Sequence, residues 1–154
     1  MKNYAWHIRY LSLAKEISSW SKDPSTKVGA VIVSPKNEII STGFNGFPRK
    51  CTDDSRLQDR RLKHQIILHA EVNAILTAAR DLTDHTIYVW PIQPCSNCAS
   101  IIIQSGITRV ISEMTHIMRF QPSFTMAKCL FNEANVDLIL FSEGTLAYEH
   151  QRTN

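Results

Sequence analysis

The chain shows no internal repeat and no low-complexity tract, and none of its apolar runs approaches membrane-spanning length, which argues against solenoid, fibrous and membrane-spanning classes. Charges interrupt the first residues, MKNYAWHIRYLSLAKEI, before a signal-peptide apolar core can form, so a cytoplasmic protein with no membrane association is the expectation. There are only 4 cysteines, and without an export signal they favour reduced thiols or metal ligands over a disulfide framework. Strong charge of either sign is also missing: the formal net charge of +3 and pI near 8.7 are too weak to imply a nucleic-acid partner, yet they suit a small anionic substrate.

What is present fits one domain spanning 1–154, with 44% apolar residues and length enough to bury a core. Trp6, Tyr10, Leu13, Ala14 and Ile17 recur at helical steps between Tyr4 and Trp20, and Asp23-Pro24 ends that pattern. Two β-rich runs, Val28 to Val33 and Glu38 to Phe44, flank the turn Ser34-Pro35-Lys36-Asn37 and predict a hairpin. The polar, basic stretch from Gly43 to Lys63 predicts a long loop with a short helix near its end.

Further on, the pattern predicts helices over Ala70 to Arg80, Ser96 to Gln104 and Ser123 to Ala134. It predicts strands over Thr86 to Trp90, Ile107 to Ser112 and Val136 to Phe141. A hairpin followed by alternating helix and strand implies a mixed sheet covered by helices on both faces. Residues 143–154 show no regular pattern and are expected to be a tail or an interface arm.

The chemistry concentrates at two helix starts, His69-Ala70-Glu71 and Pro94-Cys95-Ser96-Asn97-Cys98. Cysteines three apart on a first helical turn share a face, and the positive end of the helix lowers the cost of the thiolates a metal requires. One imidazole and two thiolates, from His69, Cys95 and Cys98, leave a tetrahedral zinc one protein ligand short, as in catalytic sites that keep a water. Zinc brings that water's pKa from about 15.7 toward roughly 7. Glu71, unliganded, is the candidate proton carrier.

In an ideal helix, residues two apart point about 200° away from each other, so either His69 sits at the cap or both side chains bend around the metal. Alone, C-x-x-C can be a redox pair or half of a structural zinc site, and H-x-E occurs by chance. In this order and context the two together form the zinc-deaminase signature.

At these residues the chain resembles the cytidine and deoxycytidylate deaminase superfamily, and within it the deoxycytidylate (dCMP) deaminases. SKDPSTKVGAVIV (21–33), TGFNGFPRKCTDD (42–54), HAEVNAIL (69–76) and PCSNCASIIIQSGITRVI (94–111) carry that resemblance. It implies an α/β fold, a three-layer α/β/α sandwich around a mixed five-stranded sheet. It also implies hydrolysis of dCMP to dUMP and ammonia, supplying dUMP for thymidylate synthesis.

Residue by residue, the resemblance implies one catalytic Zn2+ per subunit on His69, Cys95 and Cys98, proton transfer by Glu71, and a pyrimidine contact from the Ala70 amide. It further implies a sugar contact at the Asn45-Gly46 turn and phosphate contacts from Lys22, Ser25 and Lys27. Family partners would be a homo-oligomer, hexamer or dimer, and dCTP and dTTP as effectors. Asn45-Gly46 also fits a plain turn, and Lys22 and Lys27 also fit a solvated surface.

The pattern departs from the family at Val89-Trp90-Pro91-Ile92-Gln93 and in 113–125, where a tyrosine near the base has no counterpart. His116, Arg119 and Phe120 are the candidates to replace it, although Phe120 and Phe124 also fit a core role. Cys51 and Cys129 lack ligand spacing and are expected to pack. The competing functions are deamination of another cytosine or modified pyrimidine nucleotide, and a non-catalytic nucleotide-sensing zinc domain.

Overall fold

The computed structural model describes residues 4–153. Six strands form one sheet in the order β2-β1-β3-β4-β5-β6. Strand β1 (Gly29–Val33) pairs antiparallel with β2 (Ile39–Phe44) and with β3 (Thr86–Trp90). Strands β3, β4 (Arg109–Glu113) and β5 (Asp137–Ser142) run parallel, and β6 (Thr145–His150) returns antiparallel along β5.

The expected five strands become six because the chain turns back after Ser142 instead of fraying. Ser142 pairs with Thr145 across Glu143 and Gly144, and both turn residues have positive φ, 50° and 78°. Positive φ at both central positions is the type I′ geometry that suits the twist of a two-residue hairpin. Residues 145–150 of the expected tail are therefore an edge strand.

Alternation along the strands sorts side chains to two cores. On one face helix α1 (Ala5–Ser18) lays Tyr10, Leu11, Ala14 and Ile17 against Val31, Val33, Tyr88, Ile111, Ile139 and Phe141. On the other face α3 (Ala70–Ala78), α4 (Ser96–Gln104) and α5 (Gln121–Glu133) cover Ala30, Ile32, Ile87, Val89, Val110, Leu138 and Leu140. These are the three layers expected of the sandwich.

Two glycines let helices approach the sheet backbone. A Cβ at Gly29 would lie 2.0 Å from the Ala14 carbonyl oxygen, and one at Gly43 would lie 2.4 Å from the Ala74 nitrogen and 2.5 Å from the Ala70 carbonyl oxygen. The second contact seats α3, and so Glu71, directly on β2.

The long polar stretch folds into a 3-10 turn, Ser55–Leu57, and helix α2 (Arg60–Ile66). The Asp59 side chain caps α2 by accepting from the Arg61 and Leu62 amides. Three residues, 67–69, then connect α2 to α3. Among the described residues no helix is long and apolar enough to cross a membrane.

Candidate metal centre and substrate cleft

His69 is the N-cap of α3, extended at φ −73° and ψ 155°, and so escapes the angular conflict that two positions inside one helix would impose on His69 and Glu71. Cys95 is likewise the N-cap of α4, at φ −71° and ψ 172°, and its sulfur accepts from the Cys98 amide at 3.5 Å. Strand β3 delivers the chain to Cys95 through residues 91–94, beginning with a cis Trp90-Pro91 bond.

The two helix starts bring three candidate ligands together. His69 Nδ1 lies 3.6 Å from Cys95 Sγ and 3.3 Å from Cys98 Sγ, and all three atoms lie within 4.8 Å of one another. Tetrahedral zinc with Zn–S of about 2.3 Å and Zn–N of about 2.0–2.1 Å requires ligand atoms roughly 3.6–3.8 Å apart. The donor set and its spacing therefore fit zinc. Among the described residues this is the one grouping of His, Cys, Asp or Glu side chains with metal-binding spacing.

Without a metal the two thiols share their protons unequally. The hydrogen bond from the Cys98 thiol holds Cys95 down to about 4, while the same pairing and burial push Cys98 up. The neighbouring Cys95 sulfur raises the His69 imidazole against the opposing effect of burial. Glu71 is 3% exposed, and burial raises its carboxyl above the usual carboxylate range despite the His69 imidazole beside it.

His69, Glu71 and Cys95 line a cleft of about 300 Å³, with Cys98 buried behind them. Asn45, Ser25 and Ala70 border it, as does Glu71, whereas Gly46, Lys22 and Lys27 are absent from its lining. Lys22 is 70% exposed and its ammonium pairs with Asp53 at 2.8 Å. Solvation and that pair take it away from the role expected for it, and Lys27 is exposed outside the cleft.

Asn45 acts as a local brace. Its Oδ1 accepts from the Val28 amide at 2.8 Å, and its Nδ2 donates to the Thr26 carbonyl at 2.9 Å and to Asp23 Oδ2 at 3.3 Å. Gly46 bridges to Leu68, with the Gly46 amide donating at 3.1 Å and the Leu68 amide at 2.8 Å. The Asn45-Gly46 turn thus holds both the 23–28 loop and the approach to His69.

Several cleft residues escaped the sequence reading. Arg60, Lys63 and His64 border it from α2, Asp23 from the loop after α1, and Gln93 and Ser123 from the metal side. The spacing 60, 63, 64 is one helical face, a signal that the expectation of a short helix at the end of a polar loop left without a role. Burial first, then the Lys63 and Arg60 charges, lower the His64 imidazole from its ordinary value. Ser123 Oγ accepts from the Ser96 amide at 2.9 Å and so fastens α5 to the start of α4.

Of the candidates for the missing tyrosine, Arg119 and Phe120 reach the cleft and His116 does not. The Arg119 guanidinium sits 4.7 Å from the Phe120 ring centroid, and Phe120 meets Phe124 at 5.8 Å. Cys51 and Cys129 do not pack as expected: both are exposed, Cys51 in the turn after Pro48 and Cys129 on the outer side of α5.

A three-layer sandwich with H-x-E and P-C-x-x-C at facing helix starts defines a zinc-dependent deaminase fold. The chain belongs to the cytidine and deoxycytidylate deaminase family: the sequence model of its zinc-binding region matches residues 4–114. An uncharacterised deaminase from the luxG 3′ region of Aliivibrio fischeri is 43% identical over 136 residues, covering 86% of this chain and 91% of that protein. The deoxycytidylate deaminase of Homo sapiens is 37% identical over 138 residues, covering 85% of this chain and 76% of that protein.

A dCMP deaminase of cyanophage S-TIM5, solved with dCMP and dUMP, shares the fold with a TM-score of 0.73 at 22% identity. The match covers 92% of this chain and 100% of that one.

Proposed function

We propose that the protein hydrolyses dCMP to dUMP and ammonia, the dUMP serving thymidylate synthesis. The observation that carries this reading is Glu71, buried beside His69, Cys95 and Cys98 at the floor of a cleft that Arg60, Lys63 and Arg119 border. A purely structural zinc site has no use for a buried carboxylate next to an incomplete set of ligands.

His69, Cys95 and Cys98 would hold zinc, which when bound supplies Lewis acidity at neutral pH. Glu71 accepts a proton from the attacking water and delivers it to ring N3 as the new C4–O bond forms. It then carries the second proton to the exocyclic nitrogen, so that the C4–N bond breaks and ammonia leaves. A carboxyl whose pKa is raised by burial is suited to both roles near neutrality. The Ala70 amide, at the first turn of α3, has no intrahelical acceptor and is free to donate to the pyrimidine carbonyl.

Phe120, Phe124 and Ile92 give the cleft apolar walls for a flat ring. Ammonia release from dCMP, CMP, dCTP, cytidine and cytosine by zinc-loaded protein, with and without dCTP and dTTP, tests the proposal. Turnover of dCMP above the others is expected, and no release from any of them removes the proposal. Sedimentation in the same buffers reads the homo-oligomer that the family resemblance implies.

A further inference from the structure

We infer that Arg60 and His64, on the cleft-facing side of α2, read the 5′-phosphate of the substrate and set the preference for a nucleotide over a nucleoside. The inference rests on the proposed nucleotide reading and assigns its anionic end to the short helix that closes the long polar stretch.

Lys22 points to Asp53 and Lys27 lies outside the cleft lining, so neither cation expected from the 21–28 loop borders the site. Lys63 does border it, but its Nζ donates to Asp23 Oδ1 at 3.0 Å and to Ser25 Oγ at 3.1 Å. The Ser25 and Thr26 amides are also committed to Asp23 Oδ1, at 2.7 and 3.2 Å. This side of the cleft is therefore a neutral, internally bonded wall, with Lys63 as its positioning residue.

Arg60 and His64 stand one turn apart on the same face as Lys63, and both border the cleft. No hydrogen-bond or ion-pair partner engages the Arg60 guanidinium among the described residues. Helix α2 ends at Ile66 and His69 follows after two residues, so these donors are tethered at a short, fixed reach from the metal ligands. Arg119, the other cleft arginine, is instead stacked over Phe120 at the aromatic wall. A planar guanidinium without a carboxylate partner is the donor that suits phosphate oxygens in two-point contact.

The test uses zinc-loaded, full-length protein, with KM and kcat for dCMP and calorimetric binding of dUMP and deoxyuridine. Arg60→Ala is expected to raise the KM for dCMP and the Kd for dUMP together by roughly ten- to a hundredfold. The advantage of dUMP over deoxyuridine should shrink by the same factor. His64→Ala should move both values in the same direction by less, and Arg60→Lys should recover part of the loss.

An unchanged dUMP to deoxyuridine ratio in Arg60→Ala overturns the inference, as does an equal loss for both ligands. If the wild type turns over none of the cytosine compounds, the functional reading falls, and the binding ratio still judges Arg60 independently.

Discussion

The Lys63 ammonium lies 3.0 Å from the Asp23 carboxylate, and both side chains are 5% exposed. The pair joins elements 40 residues apart in sequence, and Asp23 spends its remaining lone pairs on the Ser25 and Thr26 amides and the Asn45 side chain. The pair is thus the hub that fixes the cleft's neutral wall to α2. Desolvation offsets much of the Coulomb attraction in such a pair, but leaving either charge alone is costly.

Lys63→Met should therefore destabilise the protein by about 3–5 kcal/mol, read as a lower urea midpoint at unchanged slope. Adding Asp23→Asn should recover part of that loss, because the carboxamide still accepts from the loop amides without a buried charge. A double-mutant cycle that finds the two effects additive would contradict the pairing.

Gly43→Ala tests how α3 is seated. The new methyl would meet backbone atoms of Ala70 and Ala74, not the yielding end of a side chain. Overpacking of this kind costs about 1–3 kcal/mol or more. Because the displaced helix carries His69 at its cap and Glu71 in its first turn, zinc stoichiometry and turnover should fall together with thermal stability. Loss of stability with full zinc content and turnover would show that the helix shifts without moving its first turn.

The grouping of His69, Cys95 and Cys98 was legible in the sequence because its signal is local: each lies at a helix start, with the cysteine spacing dictated by one turn. That His69 either occupies a cap or bends with Glu71 around the metal was legible for the same reason, and the structure places it at the cap. Lys63 and Asp23 were not, since a lysine in a polar stretch reads as solvated and its partner is remote in sequence. Lys22 and Lys27 drew the phosphate assignment by proximity to a familiar motif, which says nothing of where a flexible side chain points. Strand β6 was hidden twice over, by the exposure of Leu146 and Tyr148 on an edge and by a Glu-Gly turn lacking the usual Asn or Asp.

Glu71→Gln should keep fold and zinc while lowering kcat by roughly 10²–10⁴-fold, the range for loss of a positioned proton carrier. Its effect on the metal-free protein has a defined sign. Burial raises the Glu71 carboxyl above its ordinary 4.5, so the proton is bound more tightly in the folded state. The corresponding stability is present below 4.5 and is lost as pH rises through the folded value. Metal-free Glu71→Gln should consequently melt higher than metal-free wild type near neutrality, and the gap should narrow as pH falls toward 4.5. An equal gap at all pH values would mean that the carboxylate is better solvated than its 3% exposure implies.

The thiol pair makes the last prediction. In metal-free protein Cys95 is held near 4 chiefly by the hydrogen bond from Cys98, so it remains a thiolate well below the range of an ordinary cysteine. Iodoacetamide should therefore label Cys95 at about pH 6, with labelling fading only as pH approaches 4, as read by peptide mass spectrometry. Zinc should protect the residue by occupying the sulfur. Cys98→Ala removes both a ligand and the hydrogen-bond donor. It should abolish stoichiometric zinc binding and also return Cys95 labelling toward alkaline pH. Persistent acid-range labelling in that variant would assign the effect to His69 and the start of α4 instead of the Cys98 thiol.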